Sequence, residues 1–404
     1  MLAIVKWRPR RAGCVHGGFK LAYGSAMNDR RRLKILISDS IRMWGGAQRF
    51  IIELVEGLAK RGHYAAIQTF PGSPLSDRAR ERGIDVHEVP VRVDAAPWTV
   101  LRLAIHLRRK RYDVVITTWD KDLRTTGLAA KLASRDTIVV HTRECDDPLK
   151  DTFRYKWFYT QIADHIVVNS EATLETTLGS APWLTRDRTF ILYKGIDLSD
   201  YASLDPGPWK KQLNPDGSRV VVGYAGQLID RKRIDVVMKL LARPEFESLP
   251  WHFAIAGKGA EEENLRSMAK QLGIADRVTF SGFVTDVHRW LMATDIFVLP
   301  SFVEGFGYVL AEAGAAGKPS VAYRASSIPE VVKDGETALL ADRGDDEGFA
   351  KQLHRLLADE KLREQMGDAA RRDVFERHGL DGMVDRMERQ LYSLIDNDNH
   401  RRTR

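Results

Sequence analysis

Two carboxylates, Glu304 and Glu312, stand in the stretch Ser301-Phe302-Val303-Glu304-Gly305-Phe306-Gly307-Tyr308-Val309-Leu310-Ala311-Glu312-Ala313. An apolar run, Ile296 to Leu299, leads in and stops at Pro300, which reads as a buried parallel strand meeting a loop. Gly305 and Gly307 let the backbone come close to a ligand. A helix beginning near Gly307 would leave free N–H groups and a positive dipole end where an anion can sit. Glu304 then lies in the loop and Glu312 about two turns into the helix, so both carboxylates can border one pocket from different depths. The spacing alone is weak evidence, because paired carboxylates are common on any solvated helix.

A second segment, Tyr224-Ala225-Gly226-Gln227-Leu228-Ile229-Asp230-Arg231-Lys232-Arg233, follows another apolar run. Gly226 gives the backbone room, and Lys232 with its neighbours brings cations to the same mouth, as a departing diphosphate requires. A solvated basic turn would look the same. Gly257 in Ala256-Gly257-Lys258-Gly259, and Phe283 and Val284 after Gly282, also follow strands, where open α/β sheets bind ligands. Gly45 and Gly46 form either a tight turn or a ligand-facing loop. His141 ends an apolar run, where a single histidine is usually structural.

The elements that must hold these residues are continuous apolar runs, not alternating ones, which predicts parallel sheets covered on both faces. Strands are expected over Lys34–Ser38, Ala65–Thr69, Val86–Val89, Val114–Thr117, Ile138–His141 and His165–Asn169. Helices are expected from the Gly45-Gly46 loop to Gly62, after Pro74 and over Pro97–Arg109. Between Asp197 and Ser218 the chain carries Pro206, Gly207, Pro208, Pro215 and Gly217 and loses its period, as an interdomain linker would. A second series follows at Val220–Ala225, Phe253–Ala256, Val278–Ser281, Ile296–Leu299 and Ser320–Tyr323. At 404 residues the chain exceeds what one core usually holds.

The order strand, Pro-Ser, Glu-Gly-Phe-Gly, helix with a second Glu, Gly317-Lys318-Pro319, Ile328-Pro329-Glu330 and Asp334-Gly335-Glu336 closely resembles the retaining family-four glycosyltransferases of the GT-B fold. The resemblance runs from about Leu33 onward. It implies an α/β fold of two Rossmann-like parallel-sheet domains facing each other across a cleft: residues 33–198 on the acceptor side, 199–379 for the nucleotide-sugar, and a helix over 380–396 returning to the first domain. Residues 1–32 are basic and without period, and read as a disordered extension or an overlong start. The resemblance also implies roles. Glu304 would hold donor-sugar hydroxyls, Lys232 and Gly226 the diphosphate, and Glu312 the ribose. Gly45 and Gly46 would face the phosphates, and His141 would touch the donor sugar. Gly257, Phe283, Val284, Gly307, Tyr308 and Val309 would complete the donor pocket. The family's usual arginine beside Gly226 is replaced by Gln227, and Arg231 is the nearest cation that could stand in.

The implied reaction moves a sugar from a UDP- or GDP-sugar to a hydroxyl of a saccharide or lipid-linked saccharide, with no metal, no other cofactor and no nucleic-acid partner. Asp120-Lys121-Asp122 looks like the metal-binding Asp-x-Asp of the other glycosyltransferase fold, but the donor motifs lie elsewhere, and a solvated loop is expected. The two cysteines, Cys14 and Cys145, make no disulfide framework or metal spacing, which suits a reducing, cytoplasmic setting. The net charge of +7 is modest. Leu101–Arg111 joins apolar positions to a basic cluster and reads either as an ordinary crossover helix with a charged outer face or as a helix on an anionic membrane surface, and Lys150–Tyr159, which mixes basic and aromatic residues, is a candidate for lipid or saccharide contact. A silent scaffold subunit and a sugar-nucleotide epimerase are the rival readings.

Overall fold

The structure, a computed structural model, describes residues 31–402. The extension expected over residues 1–32 falls, up to residue 30, outside the described residues. The apolar runs form two parallel sheets. The first contains β1 (Lys34–Asp39), β2 (Tyr64–Thr69), β3 (Asp85–Glu88), β4 (Val114–Thr117), β5 (Ile138–Arg143), β6 (His165–Val168) and β7 (Thr189–Ile191), in the order β3-β2-β1-β4-β5-β6-β7. The second contains β8 (Val220–Ala225), β9 (Trp251–Ala256), β10 (Val278–Gly282), β11 (Ile296–Leu299), β12 (Ser320–Arg324) and β13 (Ala338–Asp342), in the order β10-β9-β8-β11-β12-β13.

Each order reverses once, between β1 and β4 and between β8 and β11, and ligands of open α/β sheets bind outside the carboxyl ends of the strands at such points. The strands lie under helices on both faces, which is why they read as unbroken apolar runs: Val114, Val115 and Ile116 are at most 1% exposed. Two edge strands, β7 and β13, were not expected from sequence. The first has three residues, and Ala338-Leu339-Leu340-Ala341 carries none of the β-branched or aromatic side chains that favour a pleated surface.

One face of the first sheet is sealed by the Gly46–Lys60 helix together with the last helix, Leu380–Arg402. Phe50, Ile51 and Leu54 share one core with Met383, Val384, Met387 and Leu391. The chain thus crosses between the sheets twice, and the two crossings run side by side. Ile196 N–H donates to His378 O (2.8 Å) and Leu380 N–H to Ile196 O (2.9 Å). A Cβ on Gly195 would lie 2.8 Å from Leu380 Cα, so this approach needs glycine. The Pro/Gly-rich stretch after Asp197 is not a free linker. Tyr201 and Leu213 are buried in the core of the second sheet, and Arg371 donates to Tyr201 O at 2.6 Å. Its aperiodicity reflects short turns pinned by two anchors.

Candidate active site

β11 delivers the chain to the Pro300–Gly307 loop. Gly307 takes the left-handed conformation (φ 76°) at the start of the Tyr308–Ala315 helix. Glu304 is 9% exposed and forms an ion pair with Lys232, which arrives on the Asp230–Lys232 turn after β8. The exposed Arg231 donates to Val303 O at 3.4 Å and so borders the same loop. Arg233, also left-handed (φ 52°), points elsewhere: its guanidinium lies 3.9 Å over the Phe302 ring and 3.5 Å from Asp346 Oδ1. Gln227 is exposed, and its carbonyl accepts from the Tyr224 hydroxyl (3.0 Å).

Gly305 closes this loop against the first domain. A Cβ there would fall 1.9 Å from Glu144 O, on the segment after β5. Nearby, Ser326 Oγ lies 2.6 Å from Glu304 O and 2.5 Å from Asp146 Oδ2. Behind the Glu304–Lys232 pair, the loops after β8, β9 and β10 are joined through backbone. Gly226 N–H donates to Ala256 O (2.9 Å) and Gly257 N–H to Gly282 O (2.7 Å). A Cβ on Gly257 would stand 1.8 Å from Gly226 O. Gly257 therefore serves loop-to-loop packing directly. Phe283 is half exposed beside it and Val284 is buried.

Glu312 sits deeper, 6% exposed, and its partner is one that sequence reading missed. Arg49, in the helix that follows Gly45 and Gly46, places Nη1 2.6 Å from Glu312 Oε1 and Nε 2.7 Å from Glu53 Oε1. The Tyr308 hydroxyl reaches Glu53 Oε2 (2.9 Å) and Gly195 O (3.1 Å). A Cβ on Gly46 would lie 4.0 Å from Tyr308 Cβ, so the two helix starts face each other closely, and Val309 sits half-buried in the first turn. Burial pushes the Glu312 carboxyl up to about 7 against the attraction of Arg49, and burial also raises Glu53.

On the first-domain side the structure corrects two expectations. β5 runs to Arg143, so His141 is inside the strand and 1% exposed. Its Nδ1 lies 2.9 Å from Thr117 Oγ1 and its Nε2 3.1 Å from the Tyr159 hydroxyl, which leaves the ring no direct reach to a sugar in the cleft. The Asp120-Lys121-Asp122 segment is not a solvated loop. Asp122 is fully buried, accepting from Ser38 Oγ (3.3 Å) and Ser40 N–H (3.2 Å), while Asp120 turns toward Tyr159 (2.5 Å) and Tyr155 (3.1 Å). Burial would raise Asp120, but hydrogen bonds and charge from His141, with Tyr159 and Arg143, hold it well below the usual carboxylate range. The two carboxylates diverge, and among the described residues no group of three or more His, Cys, Asp or Glu is placed to hold a metal ion.

A cleft opens here, lined by Trp119, Asp120, Thr142, Arg143, Glu144 and Asp147 among others. Farther along, the Glu330 carboxylate accepts from the N–H groups of Glu171 (2.7 Å) and Ala172 (2.9 Å), capping a first-domain helix from the second domain. Ile328-Pro329-Glu330 had marked the segment in sequence, but nothing local announced its partner.

Family models now bear on this geometry. The model described as glycosyl transferases group 1 matches residues 207–373, and the one described as glycosyltransferase family 4 matches residues 44–200. The chain belongs to the family-four glycosyltransferases. Among relatives, a lipopolysaccharide core biosynthesis glycosyltransferase of Rhizobium meliloti is 29% identical over 80% of this chain and 89% of its own length. An N-acetyl-alpha-D-glucosaminyl L-malate synthase of Bacillus anthracis is 32% identical over 51% of this chain and 54% of its own. Among solved structures, Anabaena HepE in complex with UDP and glucose superposes with a TM-score of 0.77 at 21% identity, over 90% of this chain and 100% of that one. A glycosyltransferase of Rickettsia africae gives 0.81 at 17%, over 91% and 100%. These likenesses establish the GT-B fold of this glycosyltransferase. Its Glu304, Lys232, Arg231, Glu312, Tyr308 and the Gly45-Gly46 loop meet at the facing edges of the two sheets, with His141 beneath the surface.

Proposed function

We propose that this glycosyltransferase moves a sugar, with retention of anomeric configuration and without a metal, from a UDP- or GDP-sugar to a hydroxyl of a saccharide or lipid-linked saccharide in cell-surface polysaccharide or glycolipid synthesis. The observation that carries the reading is the Glu304–Lys232 pair at the carboxyl end of β11, beside the start of the Tyr308–Ala315 helix. In the reaction the bond between the anomeric carbon and the diphosphate oxygen breaks as the acceptor oxygen bonds to the same face of that carbon. The acceptor proton passes to the departing diphosphate. Lys232, Arg231 and the helix start supply the positive field for that leaving group. Glu304 holds sugar hydroxyls and Glu312 the ribose. The names of the relatives, lipopolysaccharide core glycosyltransferases among them, and the complexes of HepE with UDP-glucose support the donor and acceptor classes.

We further place the protein at the cytoplasmic face of a membrane as a peripheral enzyme. Among the described residues no helix is long and apolar enough to cross a bilayer. Trp98, Leu101 and Ile105 are exposed on the Pro97–Lys110 helix, which ends in Arg108, Arg109 and Lys110, and Phe153 is 84% exposed on a neighbouring segment tied in by Arg154–Asp94 (2.9 Å). The deciding experiment pairs a thermal-shift screen of UDP, GDP and their sugars with turnover of the stabilising donor by wild-type and Glu304→Ala protein. Binding should raise the melting temperature by mass action, and the variant should keep that shift while losing turnover. A wild-type protein that binds no nucleotide sinks the transferase reading; one that binds but never turns over supports a scaffold.

A further inference from the structure

Arg49 belongs to the first domain and Glu312 to the nucleotide-sugar domain, yet Arg49 is the nearest charge partner that Glu312 has. The guanidinium is 27% exposed as a side chain, whereas Glu53 and Glu312 are 7% and 8%. The groups facing Glu312 are Arg49 and Glu53 from the Gly46–Lys60 helix, Tyr308 from its own helix, and Asp200 and Tyr201 from the Leu198–Tyr201 turn. Arg49 is the single cation among them, bonded to Glu312 (2.6 Å) and Glu53 (2.7 Å), with Asp200 at 3.6 Å. Two nearly buried carboxylates therefore share one guanidinium. Removing it would leave Glu312 with no facing cation in a low-dielectric setting, whereas Glu53 keeps the charge of Lys194 and the Tyr308 hydroxyl, so Glu312 is the carboxylate that would take up a proton.

We propose that Arg49 is a positioning residue for nucleotide binding: from across the cleft it keeps Glu312 ionised and aimed, so that the ribose meets a two-oxygen acceptor only when both domains are together. The inference rests on the reading of Glu312 as the ribose ligand. A ribose diol has two O–H donors, and an ionised carboxylate accepts both, whereas a protonated one has a donor where an acceptor is needed. Glu53 is the competitor for the same guanidinium, so its charge works against Glu312.

The test is calorimetric affinity for whichever of UDP-glucose or GDP-mannose the wild type binds, measured from pH 6 to 9, where their diphosphates do not titrate. Wild-type affinity should rise with pH through about 7, where burial has placed the Glu312 carboxyl. Arg49→Met should bind roughly tenfold or more weakly at neutral pH and recover toward pH 9, since one pKa unit of added shift is about a factor of ten. Arg49→Lys should recover part of the loss. Glu53→Gln, which removes the competing charge and keeps the fold's packing, should move the profile to lower pH; this covers the case in which Arg49→Met does not fold. An Arg49→Met loss that is equal at every pH, or a Glu53→Gln profile that does not move, overturns the proposal. Glu312→Gln separates the two levels: if it binds donor normally, the ribose reading has failed, and if it binds weakly while Arg49→Met binds normally, only the role of Arg49 has.

Discussion

Replacing Lys232 by Met should damage this protein twice, and the two kinds of damage can be separated. The Lys232 and Glu304 side chains are 13% and 11% exposed, so their pair is mostly shielded from water. Removing one member of a buried pair costs about 3 to 5 kcal/mol, because the other charge is left uncompensated; the residual exposure puts this case near the lower end. For a domain of this size about 3 kcal/mol corresponds to roughly 6 to 12 °C in melting temperature. The double variant Lys232→Met with Glu304→Gln removes both charges and should regain most of that loss. Turnover should follow another course. If Lys232 serves the leaving group as proposed, its loss lowers turnover by roughly 10² to 10³, and the double variant should remain inactive despite its recovered stability. Scanning fluorimetry and donor turnover on the same preparations read both quantities. A single variant that melts within about 1 °C of wild type would mean that the pair is not buried as described, and a double variant with restored turnover would remove Lys232 from the leaving-group site.

Three further outcomes are expected. Arg231→Ala should reduce turnover and be partly rescued by Gln227→Arg, since Arg231 borders the Glu304 loop through Val303 O; full activity in Arg231→Ala refutes the compensation. Glu330→Ala removes a charged cap from two helix N–H groups and should lower the melting temperature by a few degrees, a cap being worth about 0.5 to 2 kcal/mol, with faster proteolysis between the domains; an unchanged cleavage rate argues against a clasp. Co-sedimentation with anionic vesicles should weaken with salt, because exposed charges are screened beyond about 10 Å at 0.1 M, and should drop further in Trp98→Ala; equal binding to neutral vesicles would remove the charged component.

What could be read from sequence was whatever lies next to a strand end. Glu304, Gly226 and Lys232 follow β11 and β8 within a few residues, so strand position and loop chemistry were enough to bring them to one mouth. His141 was misplaced by a boundary. The apolar run ends at His141 but the strand continues two residues further, and a residue in the ladder lacks the access of one at the rim. Arg49 and Glu330 were invisible as partners for a different reason. Their contacts span 263 and 159 residues, and nothing in helical or strand periodicity encodes which loops of two separate sheets will meet. The Asp120-Lys121-Asp122 segment failed because spacing gives no direction: its two carboxylates sit on opposite sides of their backbone, one buried beneath β1 and one toward Tyr159.

Three of the contacts that cross the cleft share a chemistry that bears on how the enzyme works. Arg49 with Glu312, Glu330 with the Glu171 and Ala172 amides, and Ser326 with Asp146 are all polar. The cores of the two sheets, by contrast, are apolar and largely separate, joined by the last helix that seals the first and by Tyr193, whose ring centroid lies 6.3 Å from that of Phe306. Charged groups lose little on being returned to water, whereas an apolar seam would hold the domains shut by its buried area. A polar seam therefore lets the cleft open for nucleotide exchange at modest cost. The paired crossings at Gly195 and Leu380 offer the place where such a movement can turn, because both covalent connections run together there and are tied to each other by backbone hydrogen bonds. Closure is needed for the opposite reason. A glycosyl donor beside Lys232 would react with water as readily as with an acceptor unless water is excluded. The glycine at 305, pressed against Glu144, brings the two walls together beside the Glu304–Lys232 pair.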